Sequence, residues 1–322
     1  MTFDEFNEEV NKRAAMRYPD MDVSIREVLK NNGTILHGFS MSPKDRRFSI
    51  SPTIYMEDFF SKVQDGMDIS DAIERIFSTF DSHIDKSQDI KFTGELLTDP
   101  DYVRTHVFMT LVNKEKNAEL LADAPHKDFY DLSVEYRIRV NIGDESEGVG
   151  SILIKNNILD MSGVKADELH DLAMNNTRAN FGVTVRTMRD VMVSMMGKDA
   201  AMFLPPEDDM LPMYIISNDN NINGAVNILY DDALAQISER VGGDLVVLPS
   251  SVHEVICVPA DVSSVEDLTA MVQSVNAGQV APEEQLSDNV YMYDAEEHLL
   301  SDAATYEQNH QEDESFVRPR HR

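Results

Sequence analysis

Residues 248–259, LPSSVHEVICVP, are the part of the chain whose residue types come closest to a reactive cluster. They combine serine hydroxyls, an imidazole, a carboxylate and the single cysteine, Cys257. If the second half of this segment is a strand, His253 and Cys257 lie about 13 Å apart, which is too far for a thiol–imidazole pair. Ser250 and Ser251 then fall at the connection between two strands.

Two interpretations of this segment stay open. In the structural one, the serines satisfy a turn, and His253 and Glu254 lie at the rim of a sheet. In the functional one, Ser250, Ser251, His253 and Glu254 contact a ligand or a partner, or they serve a hydrolase. A hydrolase needs an orienting acid and an oxyanion hole in addition. We favour the structural interpretation and keep the hydrolase as an alternative.

Residues 219–224, DNNING, match the opening of a calcium-binding loop. Asp219, Asn221 and Asn223 supply oxygen atoms at alternating places, and glycine follows at the sixth. The twelfth place should hold a bidentate glutamate but holds Tyr230. The Asn-Gly pair between MYIIS and AVNILY predicts a hairpin turn instead. Calcium is therefore a weak candidate, and we expect no cofactor.

The segment LSDNVYMYD offers one further candidate contact region. Tyr291 and Tyr293 alternate with apolar residues, as in an edge strand, and acidic residues follow. Aromatic residues beside acidic ones are typical of segments that dock onto basic proteins. The alternative, which we favour, is that both tyrosines pack the last strand onto its domain.

Negative charge is concentrated in the last third of the chain. The formal net charge is −30, and between Asp199 and Val317 there are 24 acidic residues and one basic residue, Arg240. Such a segment repels phosphates and anionic lipids, because binding to them requires lysine and arginine. We therefore expect no direct contact with nucleic acid or membrane, and an unidentified protein of basic character is the expected partner.

Other features favour a cytoplasmic protein without an assembled active site. The start, MTFDEFNEEVNKR, has acidic residues where a signal peptide needs basic ones, and no apolar stretch is long enough to cross a membrane. One cysteine excludes an intrachain disulfide. The motifs of phosphate loops, dinucleotide-binding turns and nucleophile elbows are absent from the sequence.

Periodicity predicts an α+β fold. Residues 1–86 indicate a small unit with a helix, a hairpin around Asn31-Asn32-Gly33 and two further helices. Residues 87–294 indicate a mostly antiparallel sheet domain with a β-β-α-β-β-α C-terminal half. VRTMRDVMVSMM fits both the strand and the helix period. The acidic residues 295–322 are predicted to form a disordered tail.

Several strings together resemble a known family. KNNGTILHG, SPTIYMEDFF, NGAVNILY, LPSSVHEV and LSDNVYMYD occur in this order in uncharacterised proteins of gut anaerobic Firmicutes, often encoded near mobile elements. The resemblance runs from about Phe3 to Asp294. It implies a shared fold, and it implies no reaction and no site residues.

These observations lead to three functional hypotheses. The first is a non-enzymatic accessory factor that binds another protein. The second is a DNA-mimic inhibitor of a restriction or defence enzyme, suggested by the acidic last third and by the mobile elements. It requires carboxylates spaced like phosphates on one continuous face. The third is the hydrolase that uses the Ser250–Glu254 region.

Overall fold

In the computed structural model, which describes most of the chain, the protein folds into two compact units. The described residues are 1–44, 53–87, 94–141, 149–197, 204–205 and 209–308. Unit 1 comprises Met1–Val107 and Arg137–Leu169, and unit 2 comprises Phe108–Tyr136 and the chain from His170 onward. The domain boundaries predicted at residues 86 and 294 stay predictions.

Unit 1 begins with an amphipathic helix, a hairpin and two further helices. The first helix starts at a capping box, in which the Thr2 hydroxyl accepts the Glu5 N–H and the Glu5 carboxylate accepts the Thr2 N–H. The elements are α1 (Phe3–Arg17), β1 (Met21–Leu29), β2 (Ile35–Pro43), β3 (Ile54–Tyr55), α2 (Glu57–Gln64) and α3 (Ile69–Ser87). A further helix, α4 (Pro100–His106), follows in the same unit.

The predicted hairpin is present, with a longer turn than the two-residue type. β1 and β2 pair antiparallel from Met21↔Pro43 to Leu29↔Ile35. The turn between them is a single 3₁₀ turn in which Asn32 and Gly33 have φ angles of 58° and 69°. Asparagine and glycine tolerate this left-handed conformation best, so the Asn-Gly signal located the turn correctly.

One apolar cluster forms the core of unit 1. Helices α1 and α3 pack their apolar faces together with residues of β2 and β3. Its fully buried aromatic members are Phe6, Phe39 and Phe80. Burial of such side chains stabilises the unit by about 1.5–3 kcal/mol each relative to exposure.

A four-stranded sheet is built around strand β6. β6 pairs antiparallel with β5 and with β7, and β4 lies on its other side in the strand order. The elements are β4 (Val107–Asn113), α5 (Ala118–Leu121), β5 (His126–Phe129), β6 (Leu132–Asn141) and β7 (Val149–Leu153). The helices α6 (Asn156–Ser162) and α7 (Ala166–Phe181) follow.

Unit 2 contains a six-stranded antiparallel sheet with the order β13-β12-β10-β11-β9-β8. Helix α10 covers one face, where Val246, Val258 and Met292 pack against Leu268 and Val272. Helix α9 packs on the sheet as well, through Ala233, Leu234 and Ile237. The elements are β8 (Thr184–Thr187), α8 (Met188–Met196), β9 (Tyr214–Ser217), α9 (Asp231–Val241), β10 (Leu245–Leu248), β11 (Val255–Pro259), α10 (Val265–Gly278), β12 (Tyr291–Asp294) and β13 (Leu299–Asp302).

The α+β class is confirmed, and two predicted details are corrected. AVNILY is a 3₁₀ helix, Gly224–Leu229, where a second strand was predicted, so the C-terminal half reads β-3₁₀-α-β-β-α. The predicted disordered tail contains strand β13. This strand pairs antiparallel with β12, where Leu300 lies opposite Tyr293 and Ser301 lies opposite Met292. Residues 309–322 of that tail lie outside the described residues, as does GDESEG at 143–148.

The string VRTMRDVMVSMM, which fitted both the strand and the helix period, contains one strand and one helix. Its first residues form strand β8, and the helix α8 begins directly afterwards. Thr187 ends the strand and caps the helix, since its hydroxyl accepts the N–H of Asp190. Both hydrophobic periods in this string were therefore genuine signals.

Candidate functional site

The segment Ser250–Glu254 is the connection between the antiparallel strands β10 and β11. Ser251 forms an isolated bridge with Gln285, and the Ser250 carbonyl accepts the N–H of Leu286. The backbone of Val252 donates to the Glu284 carbonyl at 2.8 Å. The connection is thus tied along its length to the chain that leads into β12.

Ser251 and His253 are engaged in local hydrogen bonds. The Ser251 hydroxyl oxygen accepts the backbone N–H of His253 at 3.1 Å, which is the bond of a serine turn. The His253 Nδ1 atom accepts the backbone N–H of Asn223 at 3.1 Å. Its Nε2 atom lies 3.4 Å from the Glu284 carboxylate. In the neutral ring the proton is therefore on Nε2.

This arrangement does not form a nucleophile–base pair within the described residues. A serine–histidine pair needs an imidazole lone pair directed at the hydroxyl, whereas Nδ1 of His253 is occupied by a backbone N–H. Glu254 is exposed, and Cys257 is fully buried, with its thiol pKa raised by desolvation. The geometry supports the interpretation in which these residues stabilise the connection and form the rim of the sheet.

The DNNING loop follows strand β9 and is held by the Asn218 side chain. Its Oδ1 atom accepts the N–H groups of Asn220 and Ile222, and its Nδ2 atom donates to the Ile222 carbonyl. The carboxamide oxygen of Asn221 accepts a hydrogen bond from the Arg186 guanidinium at 2.5 Å. A positive charge beside that oxygen opposes a second cation.

The other two calcium candidates also have local roles. Asn223 has a φ angle of 55° and leads directly into the 3₁₀ helix Gly224–Leu229. The hairpin predicted at Asn223-Gly224 is therefore not formed in this described loop, because a helix follows these residues in place of a second strand. Asp219 lies against Gly182, where its carboxylate fills the space that a Cβ atom would need. Among the described residues, no three His, Cys, Asp or Glu side chains come together as a metal site.

Tyr291 and Tyr293 lie on β12, between β13 and β10, and both rings are buried. The Tyr291 hydroxyl donates to Asp131, and its ring stacks on Phe129 at 5.8 Å between centroids. The Tyr293 hydroxyl donates to Asp231 at 2.7 Å. Burial first, and the neighbouring carboxylate second, raise the pKa of each phenol. Both contacts are those expected of tyrosines that pack the strand onto its domain.

His170, a lone histidine on α7, is likewise held by packing. Its Nδ1 atom lies 3.1 Å from the Tyr136 hydroxyl, and the two rings meet edge to face. Desolvation, followed by the charge of Lys127, lowers the pKa of His170. Burial also raises the pKa of Tyr136 to about 12. Both shifts favour the neutral forms of the two side chains.

Sequence reasoning missed a cluster of carboxylates at one end of the six-stranded sheet. The register pairs Leu245 with both Pro259 and Tyr293, so the residues beyond these three positions meet at the same end. We call this cluster the acidic sheet end. Its members are Asp244, Asp261, Asp294, Glu296 and Glu297.

Backbone hydrogen bonds hold the acidic sheet end together. The Asp244 carbonyl accepts the N–H of Ala260, and the Asp244 carboxylate accepts the N–H of Ala295 at 2.8 Å. The Asp294 carboxylate accepts the N–H groups of Glu296 and Glu297 at 2.8 Å and 2.9 Å. The side chains of Asp261, Glu296 and Glu297 are exposed. The charge count pointed to this region, but only the strand register brings the carboxylates together.

Comparisons with known proteins assign the chain to a family, but they assign no activity to it. No helix in the described part of the chain has the length and apolar character needed to cross a membrane. No curated protein matches the chain, and no solved structure matches it. One family model matches residues 3–295, and its description is a family of unknown function, DUF5688. The chain therefore belongs to the DUF5688 family.

Proposed function

We propose that this protein is a non-enzymatic accessory factor of the cytoplasm that binds a basic protein through the acidic sheet end. The observation that supports this proposal most directly is the register of β10, β11 and β12. It gathers carboxylates from three separate chain segments at one place. The chain between Val241 and Val317 contains no lysine or arginine, so no basic residue of that segment neutralises the cluster.

A concentrated negative potential attracts a basic partner and orients it. Such complementarity raises association rates and selects against acidic partners. The single cysteine is buried and free, which suits a reducing compartment. The hydrogen bonds of Ser251 and His253 to backbone N–H groups leave no serine–histidine pair for hydrolysis at the described β10–β11 connection. The hydrolase therefore stays the weaker alternative.

The experiment compares two triple variants as baits in a lysate of the native host. Asp261→Asn, Glu296→Gln and Glu297→Gln remove three exposed charges from the acidic sheet end. The matched control, Glu8→Gln, Asp22→Asn and Glu27→Gln, makes the same substitutions at exposed positions of unit 1. We expect a basic protein to be captured by the wild type and by the control, and to be lost with the first variant. Capture of the same proteins by all three baits would refute the proposal.

The DNA-mimic alternative is separated from the first proposal by competition. A mimic occupies the DNA-binding surface of its target, so duplex DNA must displace it from the captured protein. Displacement by DNA, together with loss of capture in the acidic-sheet-end variant, would favour the mimic. A complex that withstands saturating duplex DNA at constant ionic strength would favour an accessory factor that binds elsewhere on its partner.

A further inference from the structure

Strand β8 ends the six-stranded sheet with an unpaired edge in the described part of the chain. It pairs with β9 along Thr184–Thr187, and no described strand lies on its other side. The Thr187 N–H is already donated to the Asp190 carboxylate at 3.2 Å, so an extended peptide that adds here as a further strand bonds the remaining backbone N–H and C=O groups of the edge. None of the four residues of β8 is fully buried.

Helix α8, which begins directly after β8, has exposed apolar side chains. None of its residues is buried, and Met195 and Met196 are 82% and 55% exposed. Leu211, on the segment that leads into β9, is 50% exposed. A cleft between α8 and this segment is lined by Met188, Arg189 and residues 210–214. Methionine adapts its shape to different partners, as on promiscuous peptide-binding surfaces.

Three polar side-chain atoms on β8 and α8 lack hydrogen-bond partners among the described residues. Thr184 Oγ1, Arg186 Nε and Arg189 Nη1 are enclosed by protein and have no hydrogen-bond partner in the described part of the chain, whereas another nitrogen of the Arg186 guanidinium donates to Asn221. Enclosed guanidinium N–H groups are costly unless an acceptor reaches them, and carboxylates are their best acceptors. Two such guanidinium atoms, on Arg186 and Arg189, favour an anionic group at this surface.

We propose that this surface binds an extended, acidic segment of another protein by strand addition to β8. In the complex, carboxylates of the bound segment accept hydrogen bonds from Arg186 and Arg189. Its apolar side chains cover the exposed methionines. We call this surface the β8–α8 surface. Its members are Thr184, Arg186, Arg189, Met195, Met196 and Leu211.

Charge and geometry select this occupant over the others. A nucleic acid or an anionic lipid offers no peptide backbone for the strand edge. A second copy that paired β8 with β8 about a two-fold axis would bring Arg186 and Arg189 close to the same residues of its partner, which like charges disfavour. The β8–α8 surface is also distinct from the acidic sheet end, which attracts partners of the opposite charge.

The test measures fluorescence anisotropy with a short fluorescein-labelled peptide of alternating Glu and Val. We expect the full-length protein to bind it, and Arg186→Gln with Arg189→Gln to weaken binding by about tenfold or more, since two charge-assisted hydrogen bonds are lost. A peptide of alternating Lys and Val should not bind. The Glu–Val peptide methylated on every backbone nitrogen should not bind either, because it has no N–H to donate to the strand edge.

A pair of methionine variants separates this surface from exposed methionine in general. Met195→Ser with Met196→Ser should weaken binding, whereas Met16→Ser with Met271→Ser should leave it unchanged, although those two residues are 67% and 53% exposed. Thermal unfolding of each variant shows whether it is folded. If an Arg186 or Arg189 variant unfolds, its single-site counterpart replaces it.

Several results would overturn the proposal. They are absence of binding at millimolar peptide, equal binding of the N-methylated or the Lys–Val peptide, and equal loss in both methionine variants. Binding that emerges only when the chain is shortened to end at residue 308 would make the protein's own C-terminal residues the occupant. Dimers of the wild type that the arginine variant dissociates would make a second copy the occupant.

Discussion

At the residue scale, Gly224 is the position where the loop after β9 and the β10–β11 connection meet most closely. A Cβ atom there would lie 2.4 Å from the Ser217 hydroxyl oxygen and 2.7 Å from the His253 carbonyl oxygen. The Gly224 N–H donates to that same carbonyl at 3.0 Å, and the Ser217 hydroxyl donates to it at 2.8 Å. The side chain of His253 is thus positioned by a tightly packed backbone.

We expect Gly224→Ala to lower the free energy of unfolding by about 1–3 kcal/mol, because backbone atoms must move to admit the methyl group. Gly243→Ala is the matched control, since a Cβ atom at Gly243 meets nothing within 4 Å. It should change stability by less than about 1 kcal/mol. Urea denaturation followed by circular dichroism measures both. Equal effects of the two substitutions would show that the contact at Gly224 is relieved without cost.

At the element scale, the start of α1 shows how local sequence defines an element boundary. The reciprocal bonds between Thr2 and Glu5 satisfy N–H groups that the helix itself leaves free. The apolar residues Phe6, Val10 and Ala14 then follow at helical spacing and are fully buried. Because these residues belong to the core of unit 1, a weaker cap should lower the stability of the unit as well as that of the helix.

Thr2→Ala should destabilise the protein by about 1 kcal/mol, the usual contribution of a hydroxyl cap. Thr2→Ser keeps the hydroxyl and should retain most of that free energy. The measurement is the midpoint of urea unfolding, followed by circular dichroism. An alanine variant as stable as the serine variant would mean that the first turn of α1 is frayed in solution.

At the scale of the whole molecule, self-repulsion of the acidic residues opposes folding. The formal net charge is −30, and part of it is concentrated in the acidic sheet end. Some carboxylates are used internally, since Asp131, Asp231 and Asp244 accept hydrogen bonds from tyrosine hydroxyls. Those that remain exposed contribute repulsion, which salt screens over about 10 Å at 0.1 M ionic strength.

The triple variant of the acidic sheet end, Asp261→Asn with Glu296→Gln and Glu297→Gln, should therefore melt about 2 °C higher than the wild type at low salt, because like charges are removed. The difference should vanish near 0.5 M NaCl. The control triple variant at Glu8, Asp22 and Glu27 should shift the melting temperature less. A shift that is independent of salt, or equal in both variants, would rule out local charge density as the cause.

Local signals in the sequence were sufficient for much of the fold. The first helix and the Asn32-Gly33 turn each depend on neighbours within a few residues, and both predictions hold in the structure. AVNILY was assigned wrongly as a strand because its composition suits one. Its backbone instead turns in the 3₁₀ helix Gly224–Leu229, and the N–H groups of Gly224 and Ala225 bind the β10–β11 connection.

The α+β class, the acidic last third and the polar character of the Ser250–Glu254 segment can all be inferred from the order of the residues. How those residues are used depends on the tertiary contacts. The register of β10 with β11 and β12 joins five carboxylates from distant positions, and the strand order leaves β8 at an edge. Register and strand order depend on contacts between residues far apart in the chain, so no local pattern encodes them.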